Sequence, residues 1–127
     1  MKKLKTEVIK YSKKLNLTNL SALRSGNISV RHKNGFLITP SGKKYSSLKI
    51  KDIVFVSLNG KYEKKYKPSS EWRFHQDIYV KKKDAQAIVH SHSTNATALS
   101  VHKKPIPAFH YMVALAGGKD IKCAKYA

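Results

Sequence analysis

Hydrophobic residues recur along this chain at two different periods. Leu4, Val8, Tyr11 and Leu15 stand three or four positions apart among lysines, which predicts an amphipathic helix with one apolar stripe to bury. From Asn27 the period shortens to two. Ile28 and Val30 alternate with polar neighbours, Asn34-Gly35 has the chemistry of a tight hairpin turn, and Phe36-Leu37-Ile38-Thr39 returns as a second strand that Pro40-Ser41-Gly42 breaks. The run from Ile53 to Leu58 predicts a third strand, and Asn59-Gly60 a turn into a short strand around Tyr62. Pro68, Ser69 and Ser70 read as a helix start, with the two hydroxyls as caps, for a helix that carries Glu71, Phe74, Ile78 and Tyr79 and ends near Lys83. Beyond it the pattern predicts a strand from Ala87 to Ser91, a helix from Asn95 to Val101, an irregular connection at Pro105-Ile106-Pro107, and a helix or strand over Tyr111 to Ala116. Gly117-Gly118 then precedes a short segment through Ile121 and Cys123. With no internal repeat and no linker, this order argues for one α/β domain over residues 1–127, an α/β/α layered sandwich with a mostly antiparallel central sheet.

The 41% hydrophobic content is enough for an ordinary core, so composition changes the picture mainly through charge. Lys and Arg number 26 against 7 acidic residues, a formal net charge of +19, and such a field favours anionic partners. The lysines, however, are scattered in ones, twos and threes without alternating aromatics. That pattern fits a solvated surface better than a nucleic-acid groove, and nucleic acid is not expected as the partner. The single cysteine, Cys123, excludes an intramolecular disulfide, fits a reducing compartment and reads as a buried structural thiol. No apolar stretch of signal-peptide length follows Met1-Lys2-Lys3, and no run approaches a bilayer span, so a cytoplasmic protein without a membrane partner is expected.

The strongest chemical signal is the pair His90 and His92. Residues two apart on a strand share a face with Cα atoms roughly 7 Å apart, so both imidazoles could reach one divalent ion, Zn²⁺ first among them. Ser91, Ser93, Thr94 and Asn95 continue where a buried strand would stay apolar, which suggests a strand end opening into a pocket. Glu71, near a helix start, is either a macrodipole-stabilising carboxylate or a metal ligand and general base. Gly26-Asn27, Ser41-Gly42 and Ser69-Ser70 each offer small residues whose N–H groups and hydroxyls can surround a phosphate, and each is equally an ordinary turn or cap. Tyr111 could supply a phenolic proton or serve as a core aromatic. His32, His75 and His102 show no partner pattern and are assigned to surface or packing roles. There is no dinucleotide loop, P-loop or Gly-x-Ser-x-Gly elbow.

Taken in order, Gly26-Asn27-Ile28-Ser29, Ile38-Thr39-Pro40-Ser41-Gly42, Lys67-Pro68-Ser69-Ser70-Glu71 and His90-Ser91-His92-Ser93 resemble the class II aldolase/adducin family from the first helix to the last residue. Trp72-Arg73-Phe74-His75, and Ile106-Pro107-Ala108-Phe109-His110-Tyr111-Met112 with Gly117-Gly118, are similar to its L-fuculose-phosphate aldolase branch. The sister L-ribulose-5-phosphate 4-epimerases generally carry Asp where this chain has Glu71. The resemblance implies zinc-dependent cleavage of a ketose 1-phosphate such as L-fuculose 1-phosphate into dihydroxyacetone phosphate and L-lactaldehyde. It implies Zn²⁺ on Glu71, His90 and His92, with Glu71 acting as proton-transfer base once substrate displaces it. By the same carry-over, Gly26, Asn27, Ser41, Gly42, Ser69 and Ser70 cradle the phosphate, and Tyr111 serves the aldehyde end across a subunit boundary in a homotetramer.

Leu23-Arg24 stands where many relatives have Gly-Thr, a change expected to reshape the phosphate loop. The family's third zinc histidine belongs to a later His-Gly segment that these 127 residues do not reach. The expectation is therefore a fold incomplete at its C-terminal end, with weak zinc binding and little or no turnover. The alternatives are a sugar-phosphate 4-epimerase or dehydratase of the same fold, and a non-catalytic adducin-like module.

Overall fold

The computed structural model describes residues 1–22, 25–116 and 118–125, in two compact units, Met1–Ser91 and His92–Ala127. The first unit contains α1 (Lys2–Leu17), β1 (Asn27–His32), β2 (Gly35–Ile38), β3 (Val54–Ser57), α2 (Trp72–Lys81) and β4 (Ala87–His90), with short 3₁₀ turns at Tyr45–Ser47 and Ile50–Asp52. The sheet order is β3-β2-β1-β4 and every pairing is antiparallel, with Ser29 opposite Ile38, Phe36 opposite Val56 and Asn27 opposite His90.

Strand alternation sorts the core into two layers. Ile28 and Leu37 turn to one face and pack with Val8 and Leu15 of α1, together with Tyr45, Leu48 and Ile53. Phe36, Ile38, Val54 and Val56 turn to the other face and pack with Tyr79 of α2. All four residues of β2 are buried, as a strand covered on both sides must be. Helix, sheet and helix thus form the expected α/β/α layers within this unit.

Four local expectations are corrected here. No strand forms around Tyr62, because the chain closes on itself: the Ser57 N–H donates to the Lys61 carbonyl (3.0 Å), and the Lys61 N–H donates to the Ser57 hydroxyl (2.9 Å). Neither Ser69 nor Ser70 is the cap of α2. Glu71 occupies that position, while the Ser69 N–H is drawn to the Thr39 carbonyl (2.9 Å) and Pro68 bridges to Pro40, so this stretch belongs to a pair of laced loops. The helix then stops at Lys81, and β4 ends at His90 rather than Ser91.

In the second unit α3 (Thr94–Val101) and α4 (Tyr111–Leu115) accompany a two-stranded ribbon of β5 (Ile106–Pro107) and β6 (Asp120–Ile121), with Ile106 opposite Ile121. Ile106-Pro107, expected to be irregular, is therefore a short strand. Its partner lies too far along the chain for local pattern to reveal it. Cys123 is half-buried rather than a core thiol, at 3.8 Å from the Ser100 carbonyl. Among the described residues no helix is long and apolar enough to cross a membrane.

Candidate metal and anion site at one end of the sheet

Because β1 runs antiparallel to both its neighbours, the start of β1 and the ends of β2 and β4 meet at one end of the sheet. Backbone bonds lace the adjoining loops together there. The Thr39 N–H donates to the Ile28 carbonyl (3.1 Å), the Ser41 N–H to the Lys67 carbonyl (3.0 Å) and the Ser69 N–H to the Thr39 carbonyl (2.9 Å). The three small-residue segments singled out in the sequence, Gly26-Asn27, Ser41-Gly42 and Ser69-Ser70, thereby come to the same region as Glu71 and His90.

Gly26 shows why a glycine stands at this start. Its φ of +73° is unfavourable for other residues, and a Cβ would sit 2.5 Å from both the His90 carbonyl oxygen and Ser21 Oγ. Its carbonyl accepts from the buried Tyr45 hydroxyl, whose pKa burial pushes up. Gly42 has the same φ of +73° but faces open space. Gly26, Asn27 and Ser69 are buried, whereas Ser41, Gly42 and Ser70 are exposed. Two of the backbone donors expected to surround a phosphate, those of Ser41 and Ser69, are occupied by the loop–loop bonds. Ser41 and Ser70 are the exposed hydroxyl-bearing residues of these segments.

Glu71, at the N-cap of α2, directs its carboxylate away from its own helix. Oε2 accepts from Asn27 Nδ2 at 2.5 Å and lies 3.8 Å from His90 Nδ1. One ligand atom each from Glu71, His90 and His92 lie within 4.8 Å of one another. Zinc–ligand bonds of about 2.0–2.2 Å would place neighbouring ligands roughly 3.3 Å apart. The set therefore needs its widest separation to contract by no more than about 1.5 Å to share an ion. Two imidazoles and a carboxylate suit a borderline divalent metal, so these residues fit the cation that the sequence suggests. The strand-face argument covers only His90, since β4 ends there, and His92 is the first residue of the second unit. The Phe74 ring flanks His90, with centroids 5.1 Å apart, and stacks on His75 at 4.4 Å.

His75, assigned to surface or packing from sequence, is instead fully buried beneath this site. Its Nδ1 lies 2.7 Å from Ser29 Oγ, and its Nε2 meets Asn27 Oδ1. Ser29 Oγ in turn lies 2.8 Å from the Tyr79 hydroxyl. Burial, aided by the nearby His90, lowers the His75 pKa to about 4, so the ring is neutral at pH 7. A signal for this cluster was present: Glu71, His75 and Tyr79 are spaced by four, one side of a helix, and Asn27 and Ser29 by two, one face of a strand. Tyr111 is the first residue of α4 in the second unit, 70% exposed, with the His110 ring 4.4 Å from its own. Leu23, Arg24 and Gly117 lie outside the described residues.

Residues 6–127 match the family described as Class II Aldolase and Adducin N-terminal domain. L-fuculose phosphate aldolase of Escherichia coli (strain K12) is 46% identical over 125 residues, 98% of this chain and 58% of that protein. The 5-methylthioribulose-1-phosphate/5-deoxyribulose-1-phosphate aldolase of Rhodospirillum rubrum is 46% identical over 120 residues, 94% of this chain and 54% of that protein. A solved L-fuculose 1-phosphate aldolase has a TM-score of 0.92 at 44% identity, covering 98% of this chain and 60% of the other. The chain thus spans less than two thirds of the length of these relatives. Match, identity and superposition agree with the motif order, and the chain belongs to the class II aldolase and adducin family.

Proposed function

We propose that this protein is a class II aldolase acting on a ketose 1-phosphate, with L-fuculose 1-phosphate as the reference substrate and dihydroxyacetone phosphate as a product. The observation that carries this reading is the convergence of Glu71, His90 and His92 beside the laced loops at the sheet end. These three residues would hold the metal, Zn²⁺ by the chemistry of the donor set. When bound, a divalent cation supplies Lewis-acid stabilisation of the negative charge that develops on the ketose oxygens as the carbon–carbon bond breaks.

The remaining work falls to the chain. Gly26, Asn27, Ser41, Gly42, Ser69 and Ser70 are assigned to the phosphate end, with Ser41 and Ser70 offering exposed hydroxyls. Glu71 moves the proton at the carbon that becomes nucleophilic, and Tyr111 serves the oxygen of the departing aldehyde. A homotetramer with sites at subunit boundaries would give the exposed Tyr111 that role, and the same reading assigns the protein to the cytoplasm, a reducing compartment with which a single cysteine is compatible. Nucleic acid is not the proposed partner.

Titration calorimetry with Zn²⁺ tests the assignment. Weak binding by the 127-residue chain that His90→Ala abolishes, together with dihydroxyacetone phosphate binding only when Zn²⁺ is present, is the expected result. Metal binding unchanged by His90→Ala would overturn it. The equal identity of the Rhodospirillum rubrum relative favours a 5-deoxypentulose 1-phosphate as the second candidate substrate. The aldehyde released separates the two.

A further inference from the structure

The buried groups behind Glu71 form an unbroken chain with a definite direction, and its members are all in the first unit. An ionised carboxylate only accepts hydrogen bonds, so Asn27 must present its Nδ2 to Glu71. Its Oδ1 then faces His75 Nε2, which must carry the ring proton. His75 Nδ1 is left as an acceptor and takes the Ser29 hydroxyl proton, and the Ser29 oxygen takes that of Tyr79. The opposite histidine tautomer would turn the Asn27 amide over and set its oxygen against the carboxylate of Glu71, two acceptors at hydrogen-bonding distance.

We propose that His75 is a positioning residue: its Nε2–H fixes the orientation of the Asn27 amide, which holds the Glu71 carboxylate in place for the metal and the proton transfer. The inference rests on the metal-dependent reading above for its purpose, but not for its geometry. Asn27, Ser29, His75 and Tyr79 are all buried, so the groups behind Glu71 form a rigid support that restricts the rotamers its half-exposed carboxylate can sample. It also gives Asn27 a task distinct from phosphate binding.

Two substitutions of similar size separate positioning from packing. In His75→Gln the side-chain amide reaches the position of Nε2 and can still donate to Asn27. In His75→Asn it reaches only the position of Nδ1 and leaves Asn27 without its donor. With Co²⁺ as probe, His75→Asn should weaken binding by about 10- to 100-fold and alter the visible spectrum, while His75→Gln stays within about threefold of the unsubstituted chain. Thermal unfolding of both variants reports how far each disturbs packing. Equal losses of affinity in the two, or losses that track their melting temperatures, would overturn the proposal. Nitrogen-15 NMR of the unsubstituted 127-residue protein gives a second, variant-free measurement: a neutral His75 protonated at Nε2 is expected, and protonation at Nδ1 would refute the chain. If the unsubstituted protein takes up no Co²⁺, the metal reading fails, and the NMR result alone decides the direction of the chain.

Discussion

Between Met1 and Ser91 the apolar side chains are shared between two helices and both faces of one sheet. From His92 onward Val113 is the one large apolar side chain buried among the described residues, while Val101, Phe109, Tyr111, Met112 and Leu115 are each more than half exposed. Both units contain regular helices. α3 has ordinary helical geometry from Thr94 to Val101 and buries none of its residues, whereas α2 buries His75 and Tyr79. Regular backbone therefore does not by itself make a supported element. Short helices are marginal in water and draw their stability from a packed face. The lesson for the site is that Asn27, Glu71, His75 and His90 are anchored in a core that the first unit supplies itself, whereas Tyr111 stands on a unit with little core of its own.

The contrast can be broken most severely at Phe36, which is fully buried between β2 and α2. Phe36→Ala should cost about 3–5 kcal/mol in chemical denaturation, and a loss below about 1 kcal/mol would mean that the sheet is not the stabilising centre. Next comes Gly26. Adding a Cβ at φ +73° against the His90 carbonyl and Ser21 should cost about 3 kcal/mol, combining left-handed strain with overpacking. Gly42→Ala, strained alike but facing open space, should cost only about 1–2 kcal/mol in the same measurement.

The third effect is a pH dependence. His75 is held near pKa 4 in the folded chain against an ordinary 6.5, so the neutral ring is favoured on folding and its stabilisation is complete above pH 6.5. That stabilisation is lost as pH falls through 6.5 toward 4, by about 2–3 kcal/mol between pH 7 and pH 4. Urea titrations over this range should show the loss in the unsubstituted chain and a flatter profile in His75→Gln. The smallest effect lies in the second unit: Leu115→Ala, at a side chain 72% exposed, should change stability by no more than about 0.5 kcal/mol. Amide exchange sharpens the comparison without any substitution, since β1 and β2 should be protected to near the global unfolding limit while α3 exchanges far faster.

Much of this was legible along the chain. The period of the apolar residues placed α1, the three strands of the first hairpin and its neighbour, α2 and β4 within a residue or two, because each buries a face and burial imposes its own spacing. The strand around Tyr62 failed for the opposite reason. Asn59-Gly60 turns the chain correctly, but a turn signal does not show whether the returning segment has a face to bury, and Ser57 and Lys61 bond each other instead. Ser69 and Ser70 have the chemistry of caps, yet the bond from Ser69 to Thr39 uses a partner thirty residues earlier that no local rule can see. His75 was missed because the four-residue spacing of Glu71, His75 and Tyr79 marks one side of a helix but does not show that Asn27 and Ser29 come to lie beneath it.

By itself the amino-acid sequence determined the main elements of the first unit, the two-faced sheet, the family and the candidate ligands Glu71, His90 and His92, since these depend on residue chemistry and on spacing within single segments. Only the tertiary structure decided that Glu71 turns from its own helix to Asn27, that the donors of Ser41 and Ser69 are taken up by neighbouring loops, and that His75 is buried and neutral behind the site. The physical reason is distance along the chain. Hydrogen-bond direction and desolvation are set by groups that approach from 30 to 50 positions away, and only the packed sheet brings them within 3 Å.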